Sequence, residues 1–241
     1  MRAAIVEEVP VTISVNGTSV LQGTCTPGLL EAYAIGRLLA EGYVVERDAV
    51  HTISVTGAEH VRTIAVALPL PAAQAGEAER RHRAQHGCGI LYYLDCAPES
   101  IRRPWAAEAP ALSVFAELFT QLFASAGDLQ ETGGLHSAAL YGGAGIAYPV
   151  HDVGRHNAVD KTIGLAMMAG ENLTQYGLLL TSRISGEIAL KAARARLGWV
   201  ASRSIPTSLA LRIARVANMP LIGRAPGKDA YVHEPTPPSV A

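Results

Sequence analysis

The second half of this 241-residue sequence alternates apolar segments of strand length with longer segments that keep helical spacing, and no other feature constrains the fold as strongly. The predicted strands are SAALYGG, GLLLT, WVAS and PLIGR. The predicted helices span residues 113–126, 158–169, 186–196 and 206–218. Segments that alternate in this way form a sheet with a strong parallel component, covered by helices. The sequence therefore predicts an α/β part at residues 113–232.

The first half predicts a smaller, β-rich part at residues 1–112, so that the chain is α+β overall. In VPVTISVNGTSVLQG, apolar and polar residues alternate around Asn16 and Gly17, which supply the two positive φ values of a tight hairpin turn. Thr26 is predicted to cap a helix that has Pro27 at its first position.

Two further strands are predicted at HTISVTG and VRTIAVALPL. Residues 71–85 are charged and poor in apolar side chains, which favours a mobile loop or a domain junction. Residues 233–241 contain three prolines and are predicted to form a disordered tail.

Charge and cysteine content exclude several classes of protein. The formal net charge is −1 and the pI is about 6.7, so no general positive field attracts nucleic acid. Residues 1–20 lack the pattern of a secretory signal, and no apolar run reaches membrane length. Three cysteines, Cys25, Cys88 and Cys96, are too few to stabilise so large a domain through disulfide bonds. We therefore expect a cytoplasmic protein with reduced thiols that binds neither nucleic acid nor membrane.

Basic and hydroxyl side chains follow three predicted strands in turn, where ligands of open α/β sheets bind. Two of these loops lead into helix N-termini, and a fourth loop begins another helix; free amides at such ends favour an anion. Together these groups suit a ligand with several phosphates. The candidate residues are Arg155, His156, Asn157, Ser182, Arg183, Ser185, Ser202, Arg203, Ser204, Arg224, Gly227 and Lys228.

A structural interpretation of the same loops is that their serines cap helices while their arginines stay in solvent. For any single loop this interpretation is the stronger one. Four such loops in succession favour a shared anionic ligand instead.

Cys88 is the candidate nucleophile. It lies in HGCGIL, directly after the basic stretch from Arg80 to His86, where positive charge favours the thiolate and flanking glycines give access. The alternative is a buried, inert thiol. The glycines and histidine around Cys88 argue against burial, and Cys25 and Cys96 lack such surroundings.

TGGLHSAA invites comparison with zinc deaminases, which combine a His-x-Glu with a later cysteine pair. His136 is present, but Ala138 stands where the glutamate would be, and no such cysteine pair follows. Zinc chemistry is therefore not expected. His136 remains a candidate for orienting a ligand or an ordinary loop histidine.

Several long blocks in order identify a family more specifically than a single short motif does. The blocks ETGGLHSAAL, HDVGRHNAVDK, SRISGEIALKAA and SRSIPTSLAL resemble the FdhD family of formate dehydrogenase accessory proteins. The resemblance implies a homodimer whose larger subdomain has the αβα architecture of cytidine deaminases without zinc. It further implies that sulfur passes from a cysteine desulfurase to the bis-molybdopterin guanine dinucleotide cofactor before this enters formate dehydrogenase. GDP is expected to mimic part of that cofactor.

The resemblance also assigns residues. Cys88 matches the persulfide-carrying cysteine that opens a Cys-Gly-x-Cys motif, whereas Leu91 replaces the second cysteine. His151 stands where an acidic residue is usual. The family's cofactor-binding stretch matches Arg224, Ala225, Pro226, Gly227, Lys228 and Asp229.

Two hypotheses follow. In the first, Cys88 takes sulfur from the desulfurase and donates it to the bound cofactor, for which one cysteine suffices. In the second, a divergent homologue binds a molybdopterin or guanine nucleotide as a chaperone without sulfur transfer, and Leu91 favours this alternative. An unrelated nucleotide hydrolase has little support, since the sequence has neither a Walker loop nor a nucleophile elbow.

Overall fold

The structure is a computed structural model that describes residues 5–44, 46–57, 61–85, 101, 107–127 and 133–235, with the backbone alone for 79–85. The strands are β1 (Val9–Val15), β2 (Thr18–Cys25), β3 (Thr52–Thr56), β4 (Arg62–Ala67), β5 (His136–Tyr141), β6 (Ile146–Asp152), β7 (Gly177–Leu180), β8 (Val200–Ser202), β9 (Leu221–Gly223) and β10 (Tyr231–His233). The helices are α1 (Leu30–Glu41), α2 (Leu70–Gln85), α3 (Phe115–Ala124), α4 (Arg155–Met168), α5 (Gly186–Arg194) and α6 (Ser208–Ala217). No helix in these ranges is long and apolar enough to cross a membrane.

The strands form two mixed sheets, which confirms the α+β class. The first has the order β2-β1-β4-β3, with β1 and β4 parallel. The second has the order β10-β9-β8-β7-β5-β6. Its centre, β7 to β9, is parallel as predicted, whereas β10 at one side and β5 and β6 at the other run antiparallel to their neighbours.

The predicted hairpin of β1 and β2 is confirmed. Asn16 and Gly17 have φ values of 48° and 83°, the left-handed geometry that such a turn demands. The Asn16 amide also exchanges two hydrogen bonds with the Leu68 backbone, at 2.9 and 3.0 Å. The turn is thereby held to the end of β4.

Helices cover both faces of the six-stranded sheet, so its inner strands are apolar on both sides. In β7, Leu178 and Leu180 pack with α4 to α6, while Leu179 faces α3 and the buried ring of Trp199. A strand buried on both faces reads as an unbroken apolar run, which explains the sequence GLLL. On the far side of α4, a continuous apolar core extends through α1 to the four-stranded sheet.

α1 and α4 pack closely because glycines lie where they meet. A Cβ atom on Gly36 would stand 1.9 Å from the Asp160 carbonyl oxygen, and one on Gly164 would stand 1.9 Å from that of Ala32. Only hydrogen fits at either position. This contact joins the first half of the chain to the second.

Two predictions about α1 have different outcomes. Gly42 ends the helix with φ 84°, as predicted. The prediction that Thr26 caps it, with Pro27 at the first position, is wrong: α1 begins at Leu30, and no side chain caps it. The Thr26 hydroxyl instead donates a hydrogen bond to Asp152, 2.6 Å away, so this side chain makes a long-range contact and not a helix cap.

The prediction of a loop at residues 71–85 is wrong, since α2 covers this stretch. The sequence is rich in Ala, Glu, Gln and Arg, which favour helix without any apolar periodicity. Gly76 lies against the Tyr43 ring, and the Tyr43 hydroxyl donates to Glu77 at 3.0 Å. Intrinsic propensity and this contact, rather than a buried stripe, account for the helix.

Two edge strands were not predicted. β6 contains Pro149, which a sheet tolerates at an edge or a bulge, and Tyr148 has φ 52° beside a register shift. β10 pairs with β9, and it includes His233, where the disordered tail was expected to begin. Residues 236–241 of that tail lie outside the described residues.

We predict that Gly164→Ala lowers the free energy of unfolding by about 1–3 kcal/mol, because the added methyl group forces α1 and α4 apart. Chemical denaturation measures the change. Gly28→Ala is the control, since a Cβ atom there meets nothing within 4 Å. Equal stability of both variants would contradict the close packing of these helices.

Candidate functional site

The candidate site is the edge of the six-stranded sheet where β7, β8 and β9 end, called here the strand-end edge. Because these strands are parallel, residues 181–185, 202–207 and 224–229 all emerge there. β5 runs the opposite way, so its first residue, His136, lies at the same edge, paired with Asp152 of β6. α4 then begins at Arg155. The four loops with predicted ligand residues therefore meet at one edge.

Hydrogen bonds join the loops that follow β7, β8 and β9. Ser202 is fully buried; its hydroxyl donates to the Ser182 carbonyl at 2.5 Å and accepts from the Ser204 amide at 2.8 Å. The Arg224 amide donates to the Ser204 carbonyl at 2.7 Å, and the Ala225 amide to that of Ser202 at 2.9 Å. The three loops thus form one connected backbone surface.

Part of the predicted set has structural roles. The Ser185 hydroxyl caps α5 by accepting from the Ile188 amide, as the capping interpretation proposed. The Ser182 hydroxyl donates to the Arg183 carbonyl, and the Ala225 side chain is 1% exposed in the core against α3. Asn157 donates to Thr24 and Asp152. These side chains position the edge rather than face outward from it.

The N-terminus of α4 is held by a carboxylate. Asp152 is fully buried, and its Oδ1 accepts from the Gly154 amide at 2.8 Å and from Asn157 Nδ2 at 3.0 Å. Gly154 is the N-cap residue, and no side chain caps the helix there. The first turn of α4, with Arg155 and His156, is therefore fixed in place while its positive end faces the edge.

The two histidines in the predicted site, His136 and His156, are neutral near neutral pH. Burial, followed by the charges of Lys191 and Arg155, lowers the pKa of His156 to about 4. Burial and then Arg155 also lower the pKa of His136. His156 Nε2 lies 3.1 Å from Glu187 Oε2. We interpret that contact as a neutral N–H donating to an exposed carboxylate, since burial outweighs the attraction.

The basic groups that remain accessible come from four loops. Arg183, Arg203 and Arg224 are exposed, and Arg155 is half-buried. Lys228 and Asp229 are exposed beyond them, in the turn closed by the Gly227 amide and the Arg224 carbonyl at 2.8 Å. With Pro226 half-buried, the 224–229 stretch is a compact turn between β9 and β10.

A cavity of about 330 Å³ opens at the same edge, on the α3 side of the sheet. The Arg203 guanidinium lies 5.4 Å from the centre of the Phe123 ring, a cation–π contact at the wall. The polar lining consists of His136, Ser137, His151, Thr181 and Arg203. No sequence pattern marks Ser137, Thr181 or Phe123 as cavity residues, because only the fold brings α3 next to β5 and β7.

A second cavity, of about 270 Å³, lies at the other end of the helices. Its wall includes Arg47, Arg194 and Arg196, but also Glu46 and Glu171. The C-terminal ends of α1, α4 and α5 meet there. Helix C-termini carry negative partial charge and disfavour phosphates, so the strand-end edge is the better anion site of the two.

The candidate nucleophile Cys88 and its neighbour Leu91 lie outside the described residues, as does Cys96. Cys25 is buried at the end of β2. Burial raises its thiol pKa to about 11, which disfavours the reactive thiolate.

Comparison with known proteins finds relatives that the chain covers over more than four fifths of their length. A model of the FdhD/NarQ family matches residues 6–236. Sulfur carrier protein FdhD of Cupriavidus necator is 35% identical over 240 residues, which cover 95% of this chain and 82% of the relative. Sulfur carrier protein FdhD of Chromobacterium violaceum is 36% identical over 227 residues, covering 90% and 83%.

The fold is also that of a solved structure. A crystal structure from Desulfotalea psychrophila, assigned as a formate dehydrogenase accessory protein, has a TM-score of 0.73 and covers 97% of this chain and 88% of its own. At 20% sequence identity, this likeness shows the fold alone. The family match and the relatives above 30% identity carry the assignment: the chain belongs to the FdhD/NarQ family.

Proposed function

We propose that this chain is a cytoplasmic sulfur carrier that binds the bis-molybdopterin guanine dinucleotide cofactor at the strand-end edge. Cys88 takes sulfur from a cysteine desulfurase and passes it to the cofactor, which then enters formate dehydrogenase. The relatives named sulfur carrier protein FdhD support the sulfur role. The accessory name of the structural neighbour suggests the client enzyme.

One observation carries the cofactor role: four loops present accessible arginines and a helix N-terminus at a single edge. A ligand with several phosphates matches this combination, because guanidinium groups and helix amides both bind phosphate oxygens. The two neutral histidines donate or accept hydrogen bonds without adding charge. The cofactor is here a substrate that the chain holds and hands on.

The arrangement of helices and strands supports a cytidine-deaminase-like architecture for the larger part of the chain. Helices on both faces of a mixed sheet agree with a cytidine-deaminase-like αβα subdomain. Where the deaminase glutamate would stand, Ala138 is fully buried between β6 and β7. We further propose that the chain works as a homodimer, as the family resemblance implies.

The second candidate function is a binding module that holds a molybdopterin or guanine nucleotide without sulfur transfer. The observation in its favour is Leu91, which stands in place of the second cysteine of the motif. Both functions use the same edge. They differ only in whether Cys88 carries sulfur.

We predict that GDP binds this chain and that Arg155→Ala and Arg183→Ala each weaken binding by about 1–3 kcal/mol, because each removes a charge-assisted contact to phosphate. Titration calorimetry measures the affinity. The control is Arg215→Ala, which removes an exposed arginine from the last turn of α6, away from the edge. Absence of GDP binding, or equal weakening by all three variants, would remove the support for the site.

We predict that incubation with a cysteine desulfurase and free cysteine adds one sulfur atom to the chain, detected by intact-mass spectrometry. Cys88→Ala should abolish the gain because it removes the acceptor thiolate. Cys25→Ala should retain it, since Cys25 is buried with a raised pKa. If the unsubstituted chain gains no sulfur yet still binds GDP, the binding module is the correct function.

A further inference from the structure

Ser137 and His151 form a hydrogen-bonded pair that the cofactor role does not use. They face each other across β5 and β6, and Ser137 Oγ lies 2.8 Å from His151 Nδ1. The other ring nitrogen, Nε2, lies 3.1 Å from Ser125 Oγ, just past the end of α3. Ser137 and His151 both line the 330 Å³ cavity.

The hydrogen-bond chain fixes which nitrogen of His151 carries the proton. The Ser125 hydroxyl donates its single hydrogen to the Leu122 carbonyl, 2.7 Å away. Its oxygen can therefore only accept from His151, so Nε2 holds the proton. Burial lowers the pKa of His151, which keeps the ring neutral and leaves Nδ1 as an acceptor. The Ser137 hydroxyl consequently donates to Nδ1.

This order of groups is that of an activated nucleophile: a hydroxyl, a base that accepts its proton, and a third group that orients the base. The pair occurs on sheet strands rather than on a flexible loop, so its geometry is held by the β5 and β6 register. A serine–histidine pair with a purely structural role would require neither a fixed tautomer of the histidine nor a cavity beside it.

The cavity also supplies groups for an acyl substrate. Thr181 Oγ1 accepts from the Ser137 amide at 3.0 Å, which leaves the Thr181 hydroxyl hydrogen available to a developing oxyanion. The Arg203 guanidinium, held over Phe123, favours a negatively charged substrate. A volume of about 330 Å³ suits a small molecule.

We propose that Ser137 is a catalytic nucleophile that hydrolyses esters or thioesters of small carboxylic acids in this cavity. Ser137 Oγ bonds to the acyl carbon while its proton moves to His151 Nδ1. The bond from the acyl carbon to the leaving oxygen or sulfur breaks, and the alcohol or thiol departs with that proton. Water then attacks the acyl-serine and gives a proton to His151, which returns it to Ser137 as the carboxylic acid leaves. No electron acceptor or donor is needed.

The test is hydrolysis of p-nitrophenyl acetate by the full chain carrying Cys88→Ala, so that this thiol does not react with the ester. We expect release of p-nitrophenolate and an acetyl group on Ser137 in peptide mapping. Ser137→Ala and His151→Gln should each lower the rate by about 10²- to 10⁴-fold, because they remove the nucleophile and the general base. Ser54→Ala, at an exposed position of β3, should leave it unchanged.

Acetylation at another residue, or an unchanged rate in Ser137→Ala, overturns the proposal. If either variant fails to fold, a fluorophosphonate probe on the unsubstituted chain decides the question. Labelling of Ser137 by the probe supports the nucleophile, and labelling elsewhere or none at all refutes it. Because the hydrolysis assay uses a chain without the Cys88 thiol, its outcome is separate from that of the sulfur-carrier function.

Discussion

Asp152 and Lys161 form a buried ion pair around which both halves of the chain are arranged. Asp152 is 0% exposed and Lys161 is 1% exposed, with 2.6 Å between Oδ2 and Nζ. The carboxylate also accepts hydrogen bonds from Thr26, Gly154 and Asn157, and Lys161 donates to the Thr26 carbonyl and hydroxyl. Burying each charge costs several kcal/mol, and the attraction between the two charges together with these hydrogen bonds offsets that cost.

The same pair explains why the strand-end edge has a defined shape. Thr26 follows β2 in the first half of the chain, whereas Gly154 and Asn157 begin α4 in the second. Moving either segment would remove hydrogen bonds from this buried pair, at a cost of about 1.5–3 kcal/mol for each bond to a charged group. The nearby pair of Lys191 and Asp160 is less complete, because Asp160 Oδ2 has no hydrogen-bond partner in the described structure and lies 3.8 Å from Arg37. The position of Arg155 and His156 therefore depends chiefly on Asp152.

Local patterns predicted much of the local structure, and they predicted that the loops with arginine and serine meet at one edge of the sheet. The Asn16–Gly17 turn, the run GLLL and the arginine–serine loops after strands all follow from backbone preference or from strand burial. Such patterns do not predict long-range contacts. Thr26 has the sequence context of a helix cap, but its hydroxyl donates a hydrogen bond to Asp152. Ser137 contacts His151 only because the register of β5 and β6 places them opposite each other. α2 was missed for another reason, since its helix formers carry no apolar stripe. β6 was missed because Pro149 argues against a strand except at a sheet edge or a bulge, and the sequence does not show either.

The proposed cofactor role requires that a phosphate-rich ligand bind at the strand-end edge rather than in the second cavity. Four loops with accessible arginines and the uncapped α4 N-terminus favour the first location, and the helix C-termini beside Arg47 and Arg196 disfavour the second. A crystal structure of the chain with GDP measures this directly. The account predicts phosphate oxygens within hydrogen-bond distance of the first-turn amides of α4 and of Arg183 or Arg203. Nucleotide bound in the 270 Å³ cavity, with the strand-end edge empty, would contradict it.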